Sequence, residues 1–407
     1  MKLGSKEHHP VIKIPGLRVV AATFAIILFI GSFPIYYPSD NLIFPILKSL
    51  SDSYRKRSFV SATEKCDLFS GEWVPDPSAP YYTNETCWAI HEHQNCMKYG
   101  RPDLGFLKWR WSPFECELPA FDPAKFLRIM TNKSIAFVGD SLGRNQLQSL
   151  ICLLSRVEYP VQTVSKKNDQ ETRWVYNGHK FTVATFWAPF LVRSSEYSSI
   201  GPKNTGIFNI FLDEFEEWTY QIDSFDYVVI NSGRWFGRSS IYYEKRAVTG
   251  CKYCLIKNVT ERPFLYGYQR ALRTAFRAIN RRKSYKAVTF FRTIAPAHYD
   301  NGTWDNGGNC KRKKPWKSDD RSLGGEDYDR YMMQLKEFEV ARREAVKSGK
   351  KIVLMDSTWP MFLRPDGHPS KYGHWPKDKV TVNNDCVHWC LPGPMDSLNE
   401  IFLEMLM

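Results

Sequence analysis

Three side chains near opposite ends of the chain could together activate an oxygen nucleophile. Val138-Gly139-Asp140-Ser141-Leu142 offers a serine hydroxyl, and Asp385-Cys386-Val387-His388-Trp389-Cys390 offers an imidazole with a carboxylate three positions before it. Serine attacks a carbonyl only when a neighbouring base takes its proton, and that base needs an acceptor on its second ring nitrogen to fix tautomer and direction. The Asp385-x-x-His388 spacing lets both groups face one way while the ring projects toward a serine supplied from elsewhere. Ser141, His388 and Asp385 are therefore the candidate nucleophile, base and orienting acid. A lone Gly-Asp-Ser is common in loops. This one follows a predicted apolar strand, Ser134 to Val138, and precedes a helix-like run, Leu142 to Leu154, so Ser141 falls at a helix N-terminus where backbone N–H groups steady an oxyanion.

Other residues compete for supporting roles. Asn231-Ser232-Gly233 follows the predicted strand Tyr227 to Ile230, at the same sheet edge as Ser141. Asn231 or the Gly233 N–H could donate to the oxyanion, or the segment could be an ordinary turn. Arg144, three residues beyond Ser141, shares its helix face and either binds substrate, shapes the oxyanion pocket or forms a salt bridge. Asp366-Gly367-His368-Pro369 carries an alternative acid and imidazole, but its Gly-Pro setting reads as a turn. His298 is a cleft candidate without an assigned task. Trp109, Trp111 and Trp187 could stack on sugar rings or simply fill the core, the commoner fate.

The elements that must position these groups alternate along the chain. Predicted strands Ser134 to Val138, Tyr227 to Ile230, Ala287 to Phe291 and Ile352 to Met355 are interleaved with amphipathic helices, notably Leu265 to Arg281 and Tyr328 to Val346. This pattern implies an α/β fold with a mainly parallel central sheet flanked by helices, and catalytic groups at the carboxyl ends of the strands. Ahead of it, residues 66–122 are dense in Cys, Trp and Pro and read as a loop-rich, disulfide-held subdomain, leaving 123–407 as the catalytic domain. No internal repeat is evident.

Near the N-terminus, Val19 to Tyr37 is free of charge and would span about 28 Å as a helix, close to the hydrocarbon thickness of a bilayer. No small-x-small cleavage site follows it, so a signal anchor (19–37) is preferred to a cleaved signal peptide. Lys2, Lys6, Lys13 and Arg18 precede it, predicting a cytosolic tail (1–18) and a single-pass type II orientation, although Arg55, Lys56 and Arg57 beyond it weaken the charge asymmetry. A stem (38–65) would follow. All ten cysteines and the four sequons at Asn84, Asn132, Asn258 and Asn301 lie beyond the apolar run, as a lumenal, oxidising location requires. Cys251-x-x-Cys254 could be a local disulfide, a zinc half-site or a redox pair; without a second half-site the disulfide is preferred. The formal charge of +13 raises the question of nucleic acid, but the basic residues are scattered and no recognition-helix or zinc-finger spacing occurs. No nucleotide-binding or metal motif stands out.

Both active-site stretches extend into longer matches. Phe137-Val138-Gly139-Asp140-Ser141-Leu142-Gly143-Arg144-Asn145-Gln146 and Asp385-Cys386-Val387-His388-Trp389-Cys390-Leu391-Pro392-Gly393 resemble the plant trichome-birefringence-like family of polysaccharide O-acetyltransferases. Trp187 to Val192, Phe291-Arg292-Thr293, Trp304 with Gly307-Gly308-x-Cys310, and Arg364 to Pro369 support the likeness, which covers roughly residues 65 to 407. One departure is Leu398, where the family usually carries tryptophan; it bears on packing beneath the histidine loop and not on the triad. The resemblance implies an SGNH/GDSL-hydrolase-like fold and the pairings Cys66–Cys116, Cys87–Cys152, Cys96–Cys390 and Cys310–Cys386. It also implies a Golgi-membrane enzyme with its catalytic domain in the lumen, acetylating a cell-wall polysaccharide through an acetyl-serine. No bound cofactor is expected, but an acetyl donor is required, derived from acetyl-CoA or delivered by a membrane protein. The run Tyr81 to Asp103 looks most similar to members acting on xyloglucan, ahead of xylan, mannan and pectin. An acetyl esterase would use the same triad, and a non-catalytic wall-glycan binding protein is the rival from another class.

Overall fold

Ser134-Ile135-Ala136-Phe137-Val138-Gly139 is apolar without alternation, as a strand covered on both faces must be. In the computed structural model, which describes residues 66–407 except 167–169, 198–205, 255–256 and 376–382, this segment is the central strand of the main sheet. The expected tail, anchor and stem (1–65) lie outside the described residues; among those described, no helix is long and apolar enough to cross a membrane.

The described part opens with β1 (Gly71–Pro75) and β2 (Trp109–Pro113), an antiparallel pair, and continues through α1 (Pro123–Ile129), β3 (Ser134–Gly139) and α2 (Ser141–Leu154). Strands β4 (Val161–Ser165), β5 (Glu171–Tyr176), β6 (Phe181–Trp187), β7 (Val192–Glu196) and β8 (Phe208–Phe215) follow, then the short α3 (Trp218–Gln221) and β9 (Tyr227–Asn231). After β10 (Ser240–Glu244) and β11 (Ala247–Lys252) come α4 (Leu265–Arg281), β12 (Val288–Arg292), α5 (Gly325–Lys347), β13 (Ile352–Met355), α6 (Thr358–Phe362) and α7 (Pro394–Met405).

Seven strands form the main sheet in the order β13-β12-β9-β3-β6-β5-β4. The run from β13 to β6 is parallel, whereas β5 and β4 join antiparallel at one edge. The α/β expectation with a mainly parallel sheet describes this core. The antiparallel edge and a separate mixed sheet, β11-β10-β8-β7, were not anticipated, because strands such as Val161-Gln-Thr-Val-Ser165 and Val192-Arg-Ser-Ser-Glu196 are short, polar and largely exposed.

Alternate residues of β3 enter two different hydrophobic layers. Ile135 and Phe137 pack with Leu147, Leu150 and Phe402 of α2 and α7, while Ala136 and Val138 pack with Leu272, Phe276 and Phe338 of α4 and α5. In α4, Ala271, Leu272, Ala275, Phe276 and Ile279 are buried, the spacing of one helix face turned to a sheet. Leu398 of α7 is buried in the layer that also holds Trp389 of the histidine loop, the space the resemblance assigns to a larger side chain.

All ten cysteines are paired, as Cys66–Cys116, Cys87–Cys152, Cys96–Cys390, Cys251–Cys254 and Cys310–Cys386. Cys87–Cys152 ties the N-terminal subdomain to α2, the helix that begins with Ser141. Cys251 and Cys254 close locally, so neither offers a thiolate for metal or redox chemistry in this state. The Cys310–Cys386 and Cys96–Cys390 bonds flank His388 on either side.

Candidate active site

Strand β3 delivers Ser141, the candidate nucleophile, by ending abruptly. Gly139 has φ +149, a conformation that L side chains rarely adopt, and a Cβ there would overlap the Asn231 carbonyl oxygen at the end of β9. One turn into α2, a Cβ on Gly143 would overlap the Asn231 side-chain oxygen. Two glycines thus let α2 start directly against β9. Asp140 caps the helix: its Oδ1 accepts from Leu142 N–H at 3.0 Å and from the Asn231 amide at 2.6 Å. Ser141 then occupies the first helical position, and its backbone N–H has no hydrogen-bond acceptor among the described residues.

The histidine loop meets this serine. His388 Nε2 lies 2.7 Å from Ser141 Oγ, and His388 Nδ1 lies 2.8 Å from Asp385 Oδ2. Asp385 Oδ1 also accepts from the backbone N–H groups of Val387 (3.1 Å) and His388 (2.9 Å). Burial opposes ionisation of Asp385, but the charge and N–H of His388 with these backbone donors outweigh it and hold the carboxyl well below the usual carboxylate range. For His388, burial pulls proton affinity down, yet Asp385 prevails and raises it above the ordinary imidazole value. With Nδ1–H on Asp385, Nε2 is left with its lone pair facing the serine hydroxyl.

A second contact fixes the meeting of helix and loop. The Asn145 amide, one helical turn after Ser141, accepts from Trp389 N–H at 2.9 Å and donates to the Trp389 carbonyl at 3.2 Å. Its nitrogen also donates to Gln94 Oε1 at 3.0 Å. Beneath, the Arg292 guanidinium donates to Gln146 Oε1 at 2.6 Å and is 1 % exposed, and burial brings its pKa down to about 10.

The remaining candidates separate. Arg144 stacks over the half-buried Trp187 ring at 4.2 Å, and Trp187 pairs with Gly139, so both border Ser141. The Asn231 amide engages Asp140 in the present arrangement. Gly233 has φ +135 and packs against Ile294 and Tyr268. Asp366 is paired with Arg364 at 2.8 Å, both fully buried, so Asp366-x-His368 is no second catalytic pair. His368 instead contacts His298. Trp111 is core, with its N–H on the Leu68 carbonyl, and Trp109 is partly buried.

A model of the GDSL/SGNH-like acyl-esterase family found in Pmr5 and Cas1p matches residues 118–405, with the PMR5 N-terminal domain at 64–117. The chain belongs to this family. It is 53% identical over 350 residues to protein trichome birefringence-like 19 of Arabidopsis thaliana, covering 85% of this chain and 82% of that one. Xyloglucan O-acetyltransferase 1 of Populus trichocarpa is 39% identical over 403 residues, 96% of this chain and 93% of the relative. Xyloglucan O-acetyltransferase 4 of the same species is 41% identical over 345 residues.

In this GDSL/SGNH-like chain the PMR5 N-terminal domain does more than precede the esterase domain. Arg101 donates to the carbonyls of His368 (2.8 Å) and Asp366 (2.6 Å), Leu391 N–H donates to the Gln94 carbonyl at 3.0 Å, and Cys96 is bonded to Cys390. Gln94, Arg101, Asn145, Gln146 and Arg292 escaped the sequence reading as site-builders. The available signal was polar residues, Asn145, Gln146 and Ser149, on the otherwise apolar buried face of α2.

Proposed function

We propose that the chain is an O-acetyltransferase that moves acetyl groups onto hydroxyls of a plant cell-wall polysaccharide through an acetyl-serine intermediate. The observation that carries this reading is the Asp385–His388–Ser141 relay, with both hydrogen bonds under 3 Å. His388 takes the Ser141 proton as Oγ attacks the donor carbonyl, and the imidazolium returns it to the departing group. In the second half, His388 deprotonates a sugar hydroxyl that attacks the acetyl-serine ester, and the proton passes to Ser141 Oγ as it leaves. Ser141 N–H at the α2 terminus supports oxyanion stabilisation; the Asn231 amide would join only after leaving Asp140, and the Gly233 N–H only through a shift of its turn. Arg144 and Trp187 border the acceptor side.

Xyloglucan is the favoured acceptor, supported by the names of two relatives and by the run Tyr81 to Asp103. A Golgi-lumenal placement with a type II anchor rests on the apolar run 19–37, the disulfides, and the exposed sequon asparagines Asn132, Asn258 and Asn301. Asn84, half-buried, is the fourth attachment site. The acetyl donor comes from a membrane partner or a soluble acetyl carrier, and no bound cofactor or metal is invoked.

The family description favours one second reading, an acetyl esterase, in which water wins the deacylation step. Incubation of the enzyme with an activated acetyl donor and deacetylated xyloglucan oligosaccharides, read by mass spectrometry, separates the two. Acetylated glycan is expected; acetate alone would reject the transferase. Ser141→Ala should lower transfer by at least about a thousandfold with unfolding behaviour unchanged.

A further inference from the structure

Between Phe362 and His388, a chain of hydrogen bonds requires one hydrogen more than two neutral imidazoles carry. His298 Nε2 lies 2.8 Å from the Phe362 carbonyl oxygen, His298 Nδ1 lies 2.6 Å from His368 Nε2, and His368 Nδ1 lies 2.6 Å from the His388 carbonyl oxygen. A carbonyl oxygen only accepts, so each outer contact takes an N–H, and a neutral imidazole has a single N–H to give. Both are then spent. The central contact would set two bare lone pairs face to face, whereas one added proton makes it a charge-assisted N–H···N bond. We propose that His298 and His368 share one buried proton, taken from solvent, and that this bridge is a positioning device for the catalytic base through the His388 carbonyl.

The surroundings suit a cation. His368 stacks on Trp389 with ring centroids 4.0 Å apart, and His298 packs against Phe362 at 5.9 Å and edge-on to Trp316 at 5.2 Å. Of the charged groups facing the pair, Asp327, Asp300 and Asp385 favour the proton, while Arg234 and Arg101 oppose it. Burial pulls both rings toward neutrality, His298 to about 4; the central bond, available only to the protonated pair, acts the other way. The same segment holds the loop a second time, through the His298 backbone N–H, which donates to the Cys386 carbonyl at 3.0 Å. The Cys386 and His388 carbonyls are thereby fixed on either side of Val387.

The positioning half rests on His388 being the base, but the shared proton does not. Solid-state NMR of the full chain labelled with 15N at histidine rings should show a proton downfield of ordinary imidazole N–H signals and correlated with two ring nitrogens. That sets it apart from the Asp385–His388 proton, which correlates with one. It should persist in Ser141→Ala and vanish in His298→Gln, whose amide retains a donor for the Phe362 carbonyl. Its absence from the native protein would overturn the shared proton. In acetyl transfer, His298→Gln should lower kcat on the order of tenfold with KM little changed; an unaltered kcat would overturn the positioning role. Should that variant not fold, His368→Asn, which retains a donor toward the His388 carbonyl, serves in both measurements. Failure of the native enzyme to acetylate any acceptor would strike the functional reading alone, because the resonance decides the proton independently.

Discussion

In the proposed relay His388 serves as a base only while its Nε2 is unprotonated, and Asp385 sets both the tautomer and the pH at which that holds. Because Asp385 raises the proton affinity of His388, kcat/KM should fall as pH drops through a value above the ordinary imidazole range, and the plateau should lie on the alkaline side. Asp385→Asn should move this limb to lower pH and cost about three to four orders of magnitude in kcat, since the wrong tautomer then faces Ser141. A pH series on both proteins tests this; an unmoved limb would mean that another group is being titrated. The convergence of these three side chains was legible in the sequence, because the candidate roles are tied to residue type and short spacing. The roles of Gln94 and Arg101 were not, because each acts on a backbone carbonyl or amide far along the chain, and no local pattern marks such a contact.

At the scale of elements, α2 is where fold and site are the same object. Gly143 lies so close to the Asn231 side-chain oxygen that Gly143→Ala must displace either that amide, which bonds Asp140, or α2 itself; a loss of about 1–3 kcal/mol in unfolding free energy is expected. Asn145→Leu has a different signature. It leaves Trp389 N–H and C=O buried without partners, which should cost about 2–4 kcal/mol and lower kcat as His388 loses its register with Ser141. Chemical denaturation and steady-state kinetics on the pair distinguish them: a fully active Asn145→Leu would refute its place in aligning loop and helix. Four of the five parallel strands, β3, β9, β12 and β13, and α4 could be read from the chain, being largely apolar or regularly amphipathic; β6, whose run is interrupted by Thr182 and Thr185, was missed. The β7, β8, β10 and β11 sheet could not, because its strands mix exposed polar and aromatic residues and its central β8–β10 pairing is parallel and skips β9, which belongs to the main sheet.

Across the whole molecule, the N-terminal domain meets the last helix through buried acids. Tyr81 donates to Glu400 and Tyr82 to Asp396, which also accepts from Ser149 at 2.6 Å. Burial pushes Glu400 up to about 7 and Asp396 to about 6, so the folded protein holds protons that the unfolded chain releases. That stabilisation is complete below the ordinary carboxylate range and is lost as pH rises through about 6 to 7. Thermal unfolding should therefore occur at lower temperature at pH 8 than at pH 5.5, by an amount worth roughly a few kcal/mol, and Glu400→Gln should flatten the slope. Equal melting temperatures at both values would remove this account. The cysteine bonds around His388 have a consequence for where the chain can work. A copy made in a reducing environment would still present Ser141 at the end of its strand, since glycine and Asp140 do that without sulfur, but the polypeptide bearing its base would be untethered at Cys386 and Cys390. Such a copy would have to hold its base through hydrogen bonds alone, so closing these two disulfides is the step expected to arm the site.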